Sequence, residues 1–348
     1  MKSENKITSI QLENYGVIKN FSCSDFSNIN LVIGKNGMGK TFLLKAMYSA
    51  MKTIEEFKRG DDVRSANEIL AEKLRWTFQT EKIGDLVTKN ATEPLSFSLT
   101  WNNQEFRYQF TKDTNKKITT LSSNTIKRES NSIFIPAKEV LSLYGIILKS
   151  RENDKSFGFD DTYYDLVKAL RISPQRGKNY KAFADSKDIV KNLINGTVEL
   201  DESTGKWYYM KNKEDTKGHQ KYSIGVTSEG VKKVAILNRL LTNKYLDKES
   251  IVFIDEIESA LHPSAIANFL ELINIIANEM GIQVFISSHS YFVIKGLYLL
   301  AQKTKNPITC ISLDDNQYTI HDMLNGMPSN SIIDESIRLY EEEIEEVL

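Results

Sequence analysis

Gly34-Lys35-Asn36-Gly37-Met38-Gly39-Lys40-Thr41 restricts what this chain can become more than any other stretch. It matches G-x-x-x-x-G-K-[ST] in full, after the apolar strand pattern INLVI (Ile29 to Ile33) and before a helical pattern from about Thr41 to Lys58. Glycines at these positions let backbone N–H groups turn inward around phosphate oxygens, and the helix N-terminus adds its partial positive charge. Lys40 is placed to reach β- and γ-phosphates and the Thr41 hydroxyl to ligate Mg²⁺, so Gly34 through Thr41 is the expected nucleotide cradle. A chance glycine-rich turn would need neither the strand before it nor the helix after it.

The rest of such a site belongs at the ends of neighbouring parallel strands. Ile251 to Ile254 is apolar and ends in Asp255-Glu256. The first carboxylate suits the Mg²⁺ shell and the second can polarise an attacking water. Val284-Phe-Ile-Ser-Ser-His289 repeats the design with a histidine. A lone histidine at a strand end is often structural; at the γ-phosphate edge of a sheet it is expected to contact phosphate. Lys40, Glu256 and His289 are thus the expected catalytic groups. Upstream, Ser228, Glu229 and Gly230 stand before a helical pattern from Val231 to Leu241 and make a second anion site. Because the phosphate loop already cradles its own nucleotide, this site suits a nucleotide held by another subunit. The plainer alternative is an ordinary serine N-cap.

Alternation from Ile7 to Leu12, a turn at Tyr15-Gly16, and a hairpin of Leu95 to Trp101 and Glu105 to Thr111 around Asn102-Asn103-Gln104 predict antiparallel strands. Ser132 to Ile135 is a short strand closed by Pro136, residues 138–195 read as helical, and Gly196 to Met210 reads as a second hairpin before a polar loop, Lys211 to Lys221. The last third alternates strand and helix, which implies a parallel sheet, and ends in an acidic helix from Glu335. The resulting division is 1–137, 138–222 and 223–348. Net charge is −1, so no global basic field points to nucleic acid. Two distant cysteines, Cys23 and Cys310, suit neither a disulfide framework nor a zinc site. With no apolar region behind the N-terminus and no run near the ~18 residues that span a bilayer, a cytoplasmic protein without membrane contact is expected.

ITSIQLENYGVIKNF…INLVIGKNGMGKT resembles the N-terminal strand pair and Walker A of the ABC-type ATPases of the SMC, RecF and OLD group. IDEIESALHP (Ile254 to Pro263) resembles their Walker B and D-loop, SSH ending at His289 their switch histidine, and TSEG (Thr227 to Gly230) stands at their signature position. Within that group the chain looks most like short prokaryotic AAA-family ATPases of the abortive-infection and Septu kind. The resemblance implies an α/β fold: an ABC-ATPase-like mixed sheet with phosphate loop, flanking helices, antiparallel hairpins and an inserted helical lobe. It further implies ATP and Mg²⁺ as cofactors, a homodimer or higher oligomer closed around them, and control of a separately encoded nuclease or toxin in anti-phage defence. By position in the family pattern, Gln79 in WTFQ stands where a metal-contacting Q-loop glutamine is expected.

TSEG in place of LSGGQ points away from transporters, and the long coiled-coil spacer of SMC proteins is missing. The stretch after His289 has no room for the acidic metal-binding domain of an OLD-type nuclease. A RecF-like DNA-binding ATPase in repair is the main rival; it predicts a basic strip, with Lys112, Lys116, Lys117, Lys127 and Arg128 as candidates. A toxin acting alone is a weaker rival, because Asp160-Asp161 and Glu341 to Glu346 read as exposed helical stretches without companions at strand ends.

Overall fold

The computed structural model describes residues 5–123, 128–174, 194–213, 218–259, 261–314 and 317–347. β1 (Ile7–Tyr15) turns at Gly16 into the antiparallel β2 (Ile18–Cys23). β3 (Ile29–Gly34) is buried at every residue, as a parallel strand covered on both faces must be. After the loop comes α1 (Lys40–Glu56). α2 (Ala66–Phe78) follows, opened by a capping box in which Ser65 and Glu68 each accept the other's backbone N–H. β4 (Leu95–Trp101) and β5 (Gln104–Phe110) form the expected hairpin. Its turn is tighter than expected: Asn102 and Asn103 both take positive φ (50° and 57°), the two-residue turn that matches strand twist, and Gln104 joins the strand. With β6 (Thr120–Ser123) these strands make one antiparallel sheet in the order β2-β1-β4-β5-β6.

β7 (Ser132–Ile135) enters the second sheet, and α3 (Tyr144–Leu148) and α4 (Asp161–Arg171) follow. β8 (Gly196–Asp201) and β9 (Lys206–Asn212) are the second hairpin. Residues 211–221 are not all loop: β10 (His219–Ser223) pairs with β9, from Asn212 to Tyr208, to make a three-stranded sheet. Every residue of β10 is exposed, so it has no buried face and no apolar alternation to announce it. The helical expectation for 138–195 holds for α3 and α4; residues 175–193 lie outside those described.

α5 (Glu229–Thr242), β11 (Ile251–Ile254), α6 (Pro263–Asn274), β12 (Gln283–Ser288), α7 (Tyr291–Thr304), β13 (Ile308–Asp314), β14 (Gln317–Asp322) and α8 (Ser331–Val347) complete the chain. The six-stranded sheet runs β14-β13-β3-β12-β11-β7, parallel except for the edge strand β14. Alternate residues feed two cores. One face is aliphatic: Leu31, Ile133, Ile135, Val252, Ile254 and Ile286 pack with α4, α5, α6 and α7. On the opposite face Phe134, Phe253 and Phe285 stack across three strands, at 6.2 and 5.3 Å between centroids, against Tyr48 of α1. α1 is sandwiched between this sheet and the antiparallel one, which fixes the loop that precedes it.

A candidate nucleotide site at the ends of the parallel strands

The carboxyl ends of β3, β11 and β12 lie side by side, because β12 pairs with both of the others. This edge is where an open α/β sheet takes its ligand. Gly34 ends β3 with φ 147°, and a Cβ there would sit 2.3 Å from the Leu313 carbonyl oxygen on β13. Only glycine lets the loop leave the sheet at this point. Lys40 folds over the loop, its Nζ donating to the carbonyls of Gly34 (2.7 Å) and Lys35 (3.0 Å). Burial pushes its ammonium below the usual lysine range, against the pull of Glu256, Asp255 and Glu258.

Thr41 Oγ1 donates toward both oxygens of Asp255, at 2.9 and 3.0 Å, joining the phosphate loop to the end of β11 across β12. Ser287 of β12 donates its hydroxyl to the same carboxylate and accepts the backbone N–H of Glu256 (2.9 Å). Glu256 stands at φ 44°, and its half-buried carboxylate has no hydrogen-bond partner among the described residues. His289 is drawn to Glu258, whose Oε1 accepts its backbone N–H at 2.8 Å and lies 3.3 Å from Nδ1. An amine, a hydroxyl and a carboxylate gathered beside a helix N-terminus form a donor set that fits Mg²⁺–nucleotide phosphate.

The structure thus brings together Lys40, Thr41, Asp255, Glu256 and His289, with Lys35, Asn36, Gly37, Met38 and Gly39 in the loop between β3 and α1. Ser228 is the backbone N-cap of α5, yet its exposed hydroxyl makes no capping bond, so the plain N-cap account does not use that hydroxyl. Glu229 pairs with Lys232 of its own helix, and Gly230 is half-buried behind it. Gln79 closes α2 in the left-handed region, next to Phe78, and its side chain has no hydrogen-bond partner among the described residues. Phe78, which packs on Phe42 at 4.6 Å between centroids, is what touches the loop helix there.

Two expectations about charged residues are corrected. Arg128 is not part of an exposed strip; it is 2% exposed and bonded to Ser132 Oγ and the Glu249 carbonyl. Lys112, Lys116 and Lys117 are exposed, and Lys127 lies outside the described residues. Asp160 and Asp161 are buried, not exposed, and what they meet is cations. Asp160 pairs with Lys45 of α1, while Asp161 and Asp165 share Lys73 of α2, and Arg151 also pairs with Asp161. They dock α4 on the helices behind the phosphate loop. Glu341 to Glu346 are exposed on α8, as expected.

A family model described as "AAA domain, putative AbiEii toxin, Type IV TA system" matches residues 29–295. The chain belongs to that family. Among solved structures, this AAA domain is similar to the Smc head bound to the C-winged helix domain of ScpA, at 13% identity and a TM-score of 0.52, covering 91% of this chain and 97% of that one. It is also similar to the SMC head domain from Thermotoga maritima (12% identity, TM-score 0.46, 91% and 98% covered). A third similar structure is the recombination mediator RecF with ATP (14% identity, TM-score 0.44, 91% and 99% covered). The AAA domain therefore has the expected mixed α/β fold of an SMC-type ATPase head. None of its described helices is long and apolar enough to cross a membrane.

Lys233 sits in the site without a motif that announces it, while Glu258 and Ser287 lie inside the IDEIESALHP and SSH segments with no role read for them. A further hint is polarity where apolar residues are due: Ser287 inside a buried strand and Lys233 on the inner face of α5.

Proposed function

We propose that this AAA domain binds ATP with Mg²⁺ at Gly34 to Thr41, hydrolyses it, and closes on a second copy of itself so that Ser228 of one subunit meets the nucleotide of the other. The observation that carries the reading is the Thr41–Asp255 contact beside an uncommitted Glu256 carboxylate. In this reading Lys40 leaves its loop carbonyls for phosphate, Thr41 and Asp255 hold the metal and its water shell, and Glu256 takes the proton of the attacking water. Bound ATP–Mg²⁺ would supply the phosphoryl group and the charge that draws both subunits together. His289, the exposed Ser228 and Glu229, and the half-buried Gly230 complete the ring of contacts. Loss of the γ-phosphate removes the shared contact and loosens the dimer.

The output of that cycle is control of a separate effector, a nuclease or toxin, in anti-phage defence. The family's description, which names a toxin of a toxin–antitoxin system, supports this, as does the likeness to an Smc head that carries a partner protein. Within the described residues, the exposed parts of 138–174 and α8 are the surfaces offered for such a partner. The second reading, a RecF-like DNA-binding ATPase, draws on exposed Lys112, Lys116 and Lys117. The test is sedimentation of the Glu256→Gln chain with and without ATP, followed by addition of duplex DNA. ATP-dependent dimers that ignore DNA are expected. A monomer at every ATP concentration overturns closure, and DNA capture that requires those lysines favours the second reading.

A further inference from the structure

Glu256 is held in an unusual way. Its φ of 44° lies in the left-handed region, where a residue with a side chain stays only if its surroundings fix it. Both peptide groups around it are fixed. Its N–H is taken by Ser287 Oγ from β12, and its carbonyl accepts from Lys233 Nζ at 2.7 Å and from the Ser259 N–H at 2.8 Å. Ser287 and Ser259 belong to the sheet edge and to the loop itself. Lys233 alone comes from another layer: it is on α5, 4% exposed, five residues after Ser228.

We propose that Lys233 is a positioning residue for Glu256, and that it links the Ser228 end of α5 to the geometry of the base. The inference rests on the reading of Glu256 given above and adds its regulation. A helix is stiff over the turn and a half that separates Ser228 from Lys233. Any contact that shifts the exposed N-terminus of α5 therefore moves the ammonium that pins the Glu256 carbonyl. The carboxylate keeps its aim while α5 is seated as it is here, so a contact at Ser228 that displaces α5 re-aims the base. Burial pulls Lys233 down to about 8, opposed by Glu258, Asp255 and Glu256. A methionine of similar length would escape that cost, so a buried lysine here is not explained by packing.

The experiment compares full-length wild type with Lys233→Met, Lys233→Arg, Glu256→Gln and the double variant Lys233→Met/Glu256→Gln. ATP affinity is measured with a fluorescent ATP analogue, and hydrolysis under single turnover. Lys233→Met should keep its Kd within about threefold and lose roughly 30-fold or more in rate, with Lys233→Arg restoring most of it. In the Glu256→Gln background, Lys233→Met should cost nothing further, because a missing base cannot be mispositioned. Wild-type turnover by Lys233→Met while Glu256→Gln is slow overturns this inference alone. So does a further, multiplicative loss in the double variant, or loss of ATP binding by a folded Lys233→Met. Wild-type turnover by Glu256→Gln overturns the reading of the base, and this inference with it. If Lys233→Met does not fold, Lys233→Gln is judged by the same split between affinity and rate.

Discussion

Glu258 Oε1 lies 2.8 Å from the backbone nitrogen of His289 and 3.3 Å from its Nδ1, so one carboxylate holds both the chain and the ring of the histidine. It ties the loop after β11 to the end of β12. The other oxygen, Oε2, is buried without a hydrogen-bond partner among the described residues. With Nδ1 turned toward Glu258, Nε2 is the ring nitrogen left for a ligand, the way a carboxylate orients histidine in a triad.

Removing that orientation should affect rate more than affinity. Glu258→Gln is expected to slow ATP turnover roughly tenfold, the low end for loss of a partner that orients histidine. His289→Ala should do at least as much, and the double variant no more than His289→Ala. Steady-state rates for the three decide it; independent losses would mean that Glu258 works on something other than the ring.

Lys40→Ala should abolish ATP binding in a calorimeter, because it removes the cation that folds over the phosphate loop. Ser228→Arg should be inactive for a different reason, by blocking the partner's site. Mixed together, the two inactive chains should regain part of the ATPase activity, since a mixed dimer contains one site without either defect. No recovery in a mixture shown to contain mixed dimers would assign Ser228 to its own subunit.

Lys233 predicts a pH dependence of stability. Its native value is about 8 against an ordinary 10.5, so between those values the unfolded chain carries more protons than the native one. Stability from this group therefore rises with pH across that window. Measured against Lys233→Met, wild type should gain up to about 1.4 kcal/mol per pH unit from pH 8 to 10. Denaturant melts at unit intervals of pH check the slope; a constant difference between the two chains would place the lysine in an ordinary solvated setting.

The purified AAA domain should hydrolyse ATP without cutting DNA or RNA, with Mg²⁺ or Mn²⁺ present. Nuclease ions need several carboxylates in one place. Among the described residues no group of three or more histidine, cysteine, aspartate or glutamate side chains is arranged to hold a metal. Asp255 and Glu256 are committed to the nucleotide in the reading above, and Asp161 and Asp165 are buried against Lys73 and Arg151. Specific cleavage by the isolated chain, lost on substitution outside the nucleotide site, would reveal a catalytic centre in the middle third.

What was legible in the chain itself is what is written locally. The phosphate loop is eight consecutive residues whose function depends on backbone shape, and glycine spacing encodes that shape directly. The parallel strands are equally plain, because burial on both faces demands unbroken apolar runs such as IVFI and SIFI. Their order in the chain, each ending in a polar group, was enough to place Asp255, Glu256 and His289 at one edge. Tertiary structure decided everything that depends on which charge meets which. Asp160, Asp161 and Arg128 look like solvated surface in a linear chain, and are buried because Lys45, Lys73, Arg151 and Glu55 come from distant positions to neutralise them. Lys233 and Glu256 are 23 residues apart and Glu256 and Ser287 31, on separate elements that no local pattern pairs. A charge is stable inside a protein only beside its partner, and the partner is chosen by the packing of helices on the sheet.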